Sequence, residues 1–356
     1  MKIRVLVIDD SVFMRKRLTE IINAHSDLEV VGAAADADAA WKMVRELRPD
    51  VLTLDVQMPQ TSGLEFLERL MRDHPMRVVM VSSFTREGSE STLRALELGA
   101  IDFIGKPRAE SPQSLTDYGR ELAEKIRTAR NARLFSRRSS PPTPSSLGSN
   151  TAPSPKKPVT RTLEPGGKVI FLGSSTGGTE AVKRFLLGMP EDCPPILIVQ
   201  HMPETFTPSF AAMLNAACRP LVLEAQGGEV VRPGTVYIAP GHSHMIVRQD
   251  GTGLVTELTH EPPVNYSRPS VDVLFNSAVF MGRRAIGIIL TGMGRDGAQG
   301  LLKMRQAGAR TRGQDKASCV VYGMPREAFQ AGGVEEEVGI DQMAASVLTL
   351  LGRNAL

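Results

Sequence analysis

The sequence predicts an α/β protein of two domains, each built on a parallel sheet, and three observations predict it. Short apolar runs that stop at acids or glycine-rich turns alternate with segments of helical periodicity. The alternation occurs twice, before residue 130 and again after residue 165. Between the two lies a segment dense in serine and proline, with too little apolar content to offset the entropy of ordering it. A chain of 356 residues with 42% hydrophobic content can bury two cores of ordinary size.

In the first domain, residues 4–8 form an apolar run that ends at Asp9 and Asp10. Met14, Leu18 and Ile21 then recur at helical spacing. A second strand is expected at 28–33 and a second helix at 37–47. A third strand, 51–56, is ended by Met58 and Pro59. A fourth, 77–83, precedes a helix at 91–98 that Gly99 stops. A fifth, 102–105, leads to a long helix at 115–133. Such alternation makes a (βα)5 parallel, doubly wound sheet, whose functional crevice lies beyond the carboxyl ends of its strands.

The serine- and proline-rich stretch at 136–158 reads as a semi-extended linker. It divides the chain into domains at 1–130 and 166–356, with linker at 131–165. In the second domain a strand at 168–172 runs into a glycine-rich turn and a helix at 180–187. The strand at 196–200 ends at His201, and that at 235–239 at Pro240 and Gly241. The strand at 285–290 ends in a glycine-rich loop carrying Asp296, followed by a helix at 299–306. The middle, 221–258, is richer in strands and is expected to hold an antiparallel hairpin.

Composition excludes several classes. Nine of the 42 basic residues fall between Lys125 and Leu163, where there is no Asp or Glu, leaving 33 basic against 39 acidic residues elsewhere. The net charge of +3 therefore belongs to the linker rather than to a folded face, and nucleic-acid binding is not expected. Cys193, Cys218 and Cys319 are odd in number and widely spaced, which fits a reduced, cytoplasmic protein without a zinc site. No apolar run reaches the roughly 20 residues that span a bilayer, and the start does not read as a signal peptide, so no membrane insertion is expected.

Three acids sit at strand ends in the first domain: Asp9, Asp10 and Asp55. Converging carboxylates repel, and a hard divalent cation such as Mg²⁺ relieves that repulsion. Lys106 and Ser82, at two further strand ends, add an ammonium and a hydroxyl. Such a set accepts and holds a phosphoryl group. Asp10 taken alone reads equally well as a helix cap. Asp9-Asp10-Ser11, Asp55 with Met58-Pro59, Ser82 and Lys106-Pro107 together resemble the response-regulator receiver family, over residues 1 to about 125. The resemblance implies Asp55 as phosphoacceptor, Asp9, Asp10 and Asp55 as Mg²⁺ ligands, and Ser82, Phe103 and Lys106 as switch residues. Phe103 reads equally as core packing.

In the second domain, Gly173-Ser174-Ser175-Thr176-Gly177-Gly178 follows a strand and opens a helix. It fits G-x-S-x-G, which lifts a serine hydroxyl beside a helix N-terminus. Alone, such a turn is as often a phosphate cradle or purely structural; it lacks the Gly-Lys-Ser/Thr ending of a P-loop. A serine nucleophile needs a base, and the base an orienting acid. His201 and Asp296 stand at two other strand ends. His242 and His244, in a further strand-end loop, rival His201 but read mainly as surface residues, as do His25, His74 and His260.

Gly-Ser-Ser-Thr-Gly-Gly-Thr-Glu at 173–180, Gln-His-Met-Pro at 200–203, Tyr-Ile-Ala-Pro-Gly at 237–241 and Leu-Thr-Gly-Met-Gly-Arg-Asp-Gly-Ala at 290–298 resemble the chemotaxis protein-glutamate methylesterase family. Pro269-Ser270-Val271-Asp272 and Gln314-Asp315 are similar too. The family often has Ala at Ser174 and another residue at Arg295, neither of which removes a catalytic group. The resemblance implies Ser175 as nucleophile, His201 as base and Asp296 as orienting acid, with Thr176 and Met293 at the oxyanion site. It implies glutamate methyl ester hydrolysis, and glutamine deamidation, on methyl-accepting chemotaxis receptors. A chemotaxis histidine kinase would be the phosphodonor, the hydrolase domain would need no cofactor, and a monomer is expected. Until Asp55 is phosphorylated, the receiver is expected to cover the hydrolase crevice.

Overall fold

In the computed structural model the described residues are 1–58, 61–83, 85–107, 112–134, 162–164, 166–251 and 253–352. Pro59 and most of the expected linker lie outside them. The chain divides into two compact units, Met1–Pro144 and Ser145–Leu356, and each is described by itself.

The first unit runs β1 Ile3–Ile8, α1 Val12–Asn23, β2 Leu28–Ala34, α2 Ala37–Leu47, β3 Val51–Asp55, α3 Gly63–Asp73, β4 Arg77–Ser82, α4 Arg86–Leu98, β5 Asp102–Gly105 and α5 Pro112–Asn131. The sheet order is β2-β1-β3-β4-β5, parallel throughout. β3 is buried at every position, because a parallel sheet with helices on both faces has no wet side. The helices start where the sequence supplies caps. Ser11 accepts from Met14 N, and Asp36 accepts from Ala39 N. α3, which the (βα)5 expectation implies without fixing its bounds, opens with a reciprocal Ser62–Glu65 capping box. Gly63 lets α3 start directly against β3, since a Cβ there would strike the Asp55 carbonyl.

The second unit runs β6 Val169–Ser174, α6 Gly178–Leu187, β7 Ile196–Gln200, α7 Thr207–Ala217, β8 Leu221–Glu224, β9 Thr235–Ile238, β10 His244–Asp250, β11 Gly253–Thr259, α8 Val271–Ala278, β12 Ala285–Ile289, α9 Ala298–Gln306, β13 Arg310–Gln314, α10 Met324–Gln330, β14 Glu336–Val338 and α11 Ile340–Leu350. Seven strands form a parallel sheet in the order β14-β13-β12-β6-β7-β9-β8. β10 and β11 make the expected antiparallel hairpin, from His244↔Thr259 to Asp250↔Gly253. β6 lies between β12 and β7, so the turns after these three strands share one end of the sheet. Phe171, Phe185, Phe206, Phe210 and Phe275 are among the largest fully buried side chains.

Phe275 on α8 is completely buried and belongs to the same core as Phe171 and Ile289. Phe275→Ala is expected to destabilise the second unit by about 3–5 kcal/mol. Thermal unfolding of the full chain should show that transition moving down while the transition of the first unit stays in place.

Candidate active site

The strand order of the first unit brings together residues that the sequence scatters. Asp9 and Asp10 follow β1, Asp55 ends the adjacent β3, and one oxygen from each lies within 4.8 Å of the others. Lys106 Nζ sits 2.7 Å from Asp55 Oδ2 and 3.0 Å from Asp9 Oδ2. Burial raises the Asp55 pKa, and the hydrogen bond and charge of Lys106 only partly oppose this. For Lys106, burial acts to lower the pKa, but Asp55 and Asp9 outweigh it and hold the ammonium above its ordinary value.

The donor set fits a hard divalent cation on one further observation. Asp9 Oδ2 is buried and, its ion pair with Lys106 aside, has no hydrogen-bond partner among the described residues. Ser82, buried at the end of β4, donates to Gly88 O at 3.2 Å. Phe103 is 6% exposed, and Lys125 Nζ lies 5.8 Å from the centre of its ring.

The second constellation begins with register. Ser174 pairs with Gln200, so the residues that follow, Ser175 and His201, leave neighbouring strands side by side. Gln200 clamps the two turns. Its Nε2 donates to Ser175 O at 3.0 Å and His201 O at 3.1 Å, while its Oε1 accepts from Ser174 Oγ at 2.7 Å. Ser175 stands just ahead of Gly177, which takes a φ of 76° as N-cap of α6. The loop after β12 closes in from the other side: Ser175 N donates to Thr291 O at 3.0 Å. A Cβ on Gly292 would come within 2.8 Å of Ser175 Cβ, so only glycine allows this approach. Among the described residues no hydrogen bond holds the Ser175 hydroxyl.

Asp296 is the most heavily bonded group in the site. Its side chain is 3% exposed and accepts from His201 Nε2 (2.8 Å), Asn265 Nδ2 (3.0 Å), Ser270 Oγ (2.7 Å), Val271 N (2.7 Å) and Asp272 N (3.1 Å). Burial alone would raise its pKa. The His201 bond and charge, with the Asn265 and Ser270 bonds, outweigh burial and hold it below the ordinary carboxylate value. A carboxylate only accepts, so the bond to Asp296 makes Nε2 the N–H of the neutral ring and leaves Nδ1 as the basic nitrogen. Nδ1 lies 3.5 Å from Ser267 Oγ.

Neighbouring Asp272 accepts from Asn265 Nδ2 at 2.8 Å and Gly300 N at 2.6 Å. Burial, with the Asp296 charge, raises its pKa. Asn265 and Ser267 belong to a tight turn closed by reciprocal Val264–Ser267 backbone bonds of 3.1 and 3.0 Å. Its two central residues, Asn265 (φ 52°) and Tyr266 (φ 64°), are both left-handed. Asn tolerates this region, whereas a tyrosine there costs about 1–2 kcal/mol.

Thus Ser175, His201 and Asp296 converge at one end of the sheet. Thr176 is buried, and its carbonyl accepts from Thr291 Oγ1 at 3.0 Å; Met293 is half-buried in the loop after β12. The surface reading of His244 is corrected. It is fully buried where β10 starts, because Nδ1 accepts from Ser270 N at 3.0 Å and Nε2 donates to Pro262 O at 3.1 Å. With both nitrogens engaged it is no rival base. It braces the segment that holds Asp296. His242 bonds Ser243 Oγ at 2.6 Å and does not reach the constellation. The roles of Gln200, Asn265 and Ser267 are not visible from sequence, since each depends on contacts between segments far apart in the chain.

Comparison with known proteins places this geometry in context. Residues 170–347 match the CheB methylesterase family model, and residues 5–117 match the response regulator receiver domain. The chain is 62% identical to a protein-glutamate methylesterase/protein-glutamine glutaminase of Dechloromonas aromatica, over 98% of each chain. It is 53% identical to that of Methylobacillus flagellatus, over 100% of this chain and 98% of the relative. The Thermotoga maritima CheB methylesterase catalytic domain superposes with a TM-score of 0.51 at 35% identity, covering 52% of this chain and 98% of that one.

Asp296→Asn leaves a side chain of the same shape that no longer supports an imidazolium. Hydrolysis of a small activated ester is expected to lose about 10³–10⁴-fold in kcat, and the new amide NH2, set against donors that now bond the carboxylate, is expected to lower the melting temperature of the second unit, as measured by steady-state kinetics and thermal circular dichroism.

Proposed function

The chain belongs to the CheB methylesterase family, and from that premise we propose that it hydrolyses glutamate methyl esters on chemotaxis receptors with Ser175, His201 and Asp296. The observation that carries this reading is the His201–Asp296 bond of 2.8 Å, made by a histidine whose strand neighbours that of Ser175. His201 Nδ1 takes the Ser175 proton as Oγ attacks the ester carbonyl. The negative charge that develops lies beside the start of α6, in the neighbourhood of Thr176 and Met293. The proton passes to the leaving methoxide, methanol departs, and a glutamyl-serine ester remains. Water, deprotonated by the same nitrogen, then releases glutamate and restores the Ser175 hydroxyl. A glutamine side chain follows the same course with ammonia as leaving group, which supports deamidation as the second activity.

The receiver match supports phosphorylation control of this hydrolase, with Asp55 as the acceptor and a chemotaxis histidine kinase as the donor. Asp9, Asp10 and Asp55 would hold Mg²⁺, which when bound neutralises charge on the transferred phosphoryl group. Lys106 already touches Asp55 and stabilises the phosphoryl oxygens. Ser82 leaves Gly88 to reach the new phosphate, and Phe103, already buried, repacks with it. The unphosphorylated receiver restrains the esterase, and phosphorylation shifts the population toward the active form. Among the described residues no helix is long and apolar enough to cross a membrane. We place the enzyme in the cytoplasm as a monomer, working on the cytoplasmic part of its membrane-bound substrate.

Methanol release from methylated receptor should disappear in Ser175→Ala; persistence of release in that variant contradicts the assignment. A small phosphodonor with Mg²⁺ should stimulate the parent enzyme several-fold and leave Asp55→Asn unchanged. Removal of residues 1–130 should raise the basal rate.

A further inference from the structure

The turn at Val264–Ser267 has two faces. Asn265 and Ser267 are half-buried and point into the site, on Asp296 and His201 respectively. Val264, Tyr266 and Arg268 alternate with them and are exposed, Tyr266 to 97% and Val264 to 37%. Tyr266 is thus displayed beside the reacting groups, yet it has no hydrogen bond to Ser175, His201 or Asp296. It also occupies a left-handed position, φ 64°, where glycine or asparagine would sit more easily. Folding of this domain gains nothing evident from an exposed aromatic ring held in that conformation. Outliers of this kind gather where they serve a ligand.

We propose that Tyr266 is a substrate-docking residue, which lays its ring against the receptor helix that carries the methylated glutamate. The two residues that flank Tyr266 face the acid and the base, so a helix docked on its ring lies beside the reacting groups. A tyrosine brings a large contact area at low conformational cost, and Val264 extends the apolar strip. Arg268, whose Nη1 reaches only Glu261 O, at 3.4 Å, among the described residues, offers a guanidinium to carboxylates on the same helix. The occupant that this surface fits is therefore an amphipathic helix rich in glutamate. The proposal rests on the receptor-esterase reading above and adds to it the residue that recognises the protein part of the substrate.

The test compares two substrates in the full-length chain: methylated receptor in membranes, and p-nitrophenyl acetate. Tyr266→Gly relieves the backbone and removes the ring, and Tyr266→Asn retains a residue suited to the turn. Both are expected to raise KM for methylated receptor about tenfold with kcat within about twofold. Both should leave kcat and KM for the small ester near the parent values, and Tyr266→Phe should retain most of the affinity. Unchanged receptor kinetics in Gly and Asn variants would overturn the proposal. So would an equal loss on both substrates, which would make the turn a support for the catalytic groups and nothing more. A parent enzyme that hydrolyses the small ester but not the receptor would instead sink the underlying receptor reading.

Discussion

The carboxylate of Asp296 is the constraint around which the second unit is arranged. A buried, ionised carboxylate is tolerated only when its lone pairs are filled, and this one is filled from two sides besides His201. The loop after β12 carries it, the start of α8 surrounds it with backbone N–H groups, and the turn containing Asn265 caps it. What remains is one bond to His201. That bond selects the tautomer of the ring and so determines which nitrogen can act as base. His244, buried and doubly bonded, holds the segment of Ser270 that completes the ring of donors. The parallel sheet supplies the remaining requirement, since β12, β6 and β7 are neighbours and deliver Asp296, Ser175 and His201 to one end.

The first unit solves the opposite electrostatic problem. Its carboxylates are crowded rather than neutralised by donors, and Lys106 is the cation that bridges Asp9 and Asp55. The site remains short of positive charge: one oxygen of Asp9 is buried without a hydrogen bond among the described residues, and burial raises the pKa of Asp55. Such a donor set fits a hard divalent cation. One domain keeps its acid saturated, so that a histidine stays oriented. The other crowds three carboxylates around one lysine and leaves an oxygen of Asp9 without a hydrogen bond among the described residues.

Much of this was legible in the sequence because buried parallel strands are continuous apolar runs and their ends carry the chemistry. The runs before Asp9, Ser175 and His201 fall at β1, β6 and β7. Less of the packing was legible. The bounds of α3 were not read from the sequence, although the Ser62–Glu65 box that starts it is a local signal. β13 (Arg-Thr-Arg-Gly-Gln) resists reading because its arginine at 312 is buried by pairing with Glu335 and Glu336. His244 was read as a surface residue because its partners, Pro262 and Ser270, lie 18 and 26 residues away. Gln200 stood within a recognised motif, yet its clamp on Ser175 and His201 emerges only once β6 and β7 are paired.

The central claim is that one serine among several near this site is made nucleophilic by His201. Ser174, Ser175, Ser267 and Ser270 all lie close to the constellation, so chemistry can choose between them. The most direct measurement is mass spectrometry of the chain after reaction with a fluorophosphonate, which labels activated serines. The account predicts a single adduct on Ser175, with labelling lost in His201→Gln. An adduct on another serine, or labelling of Ser175 that survives that substitution, would contradict it.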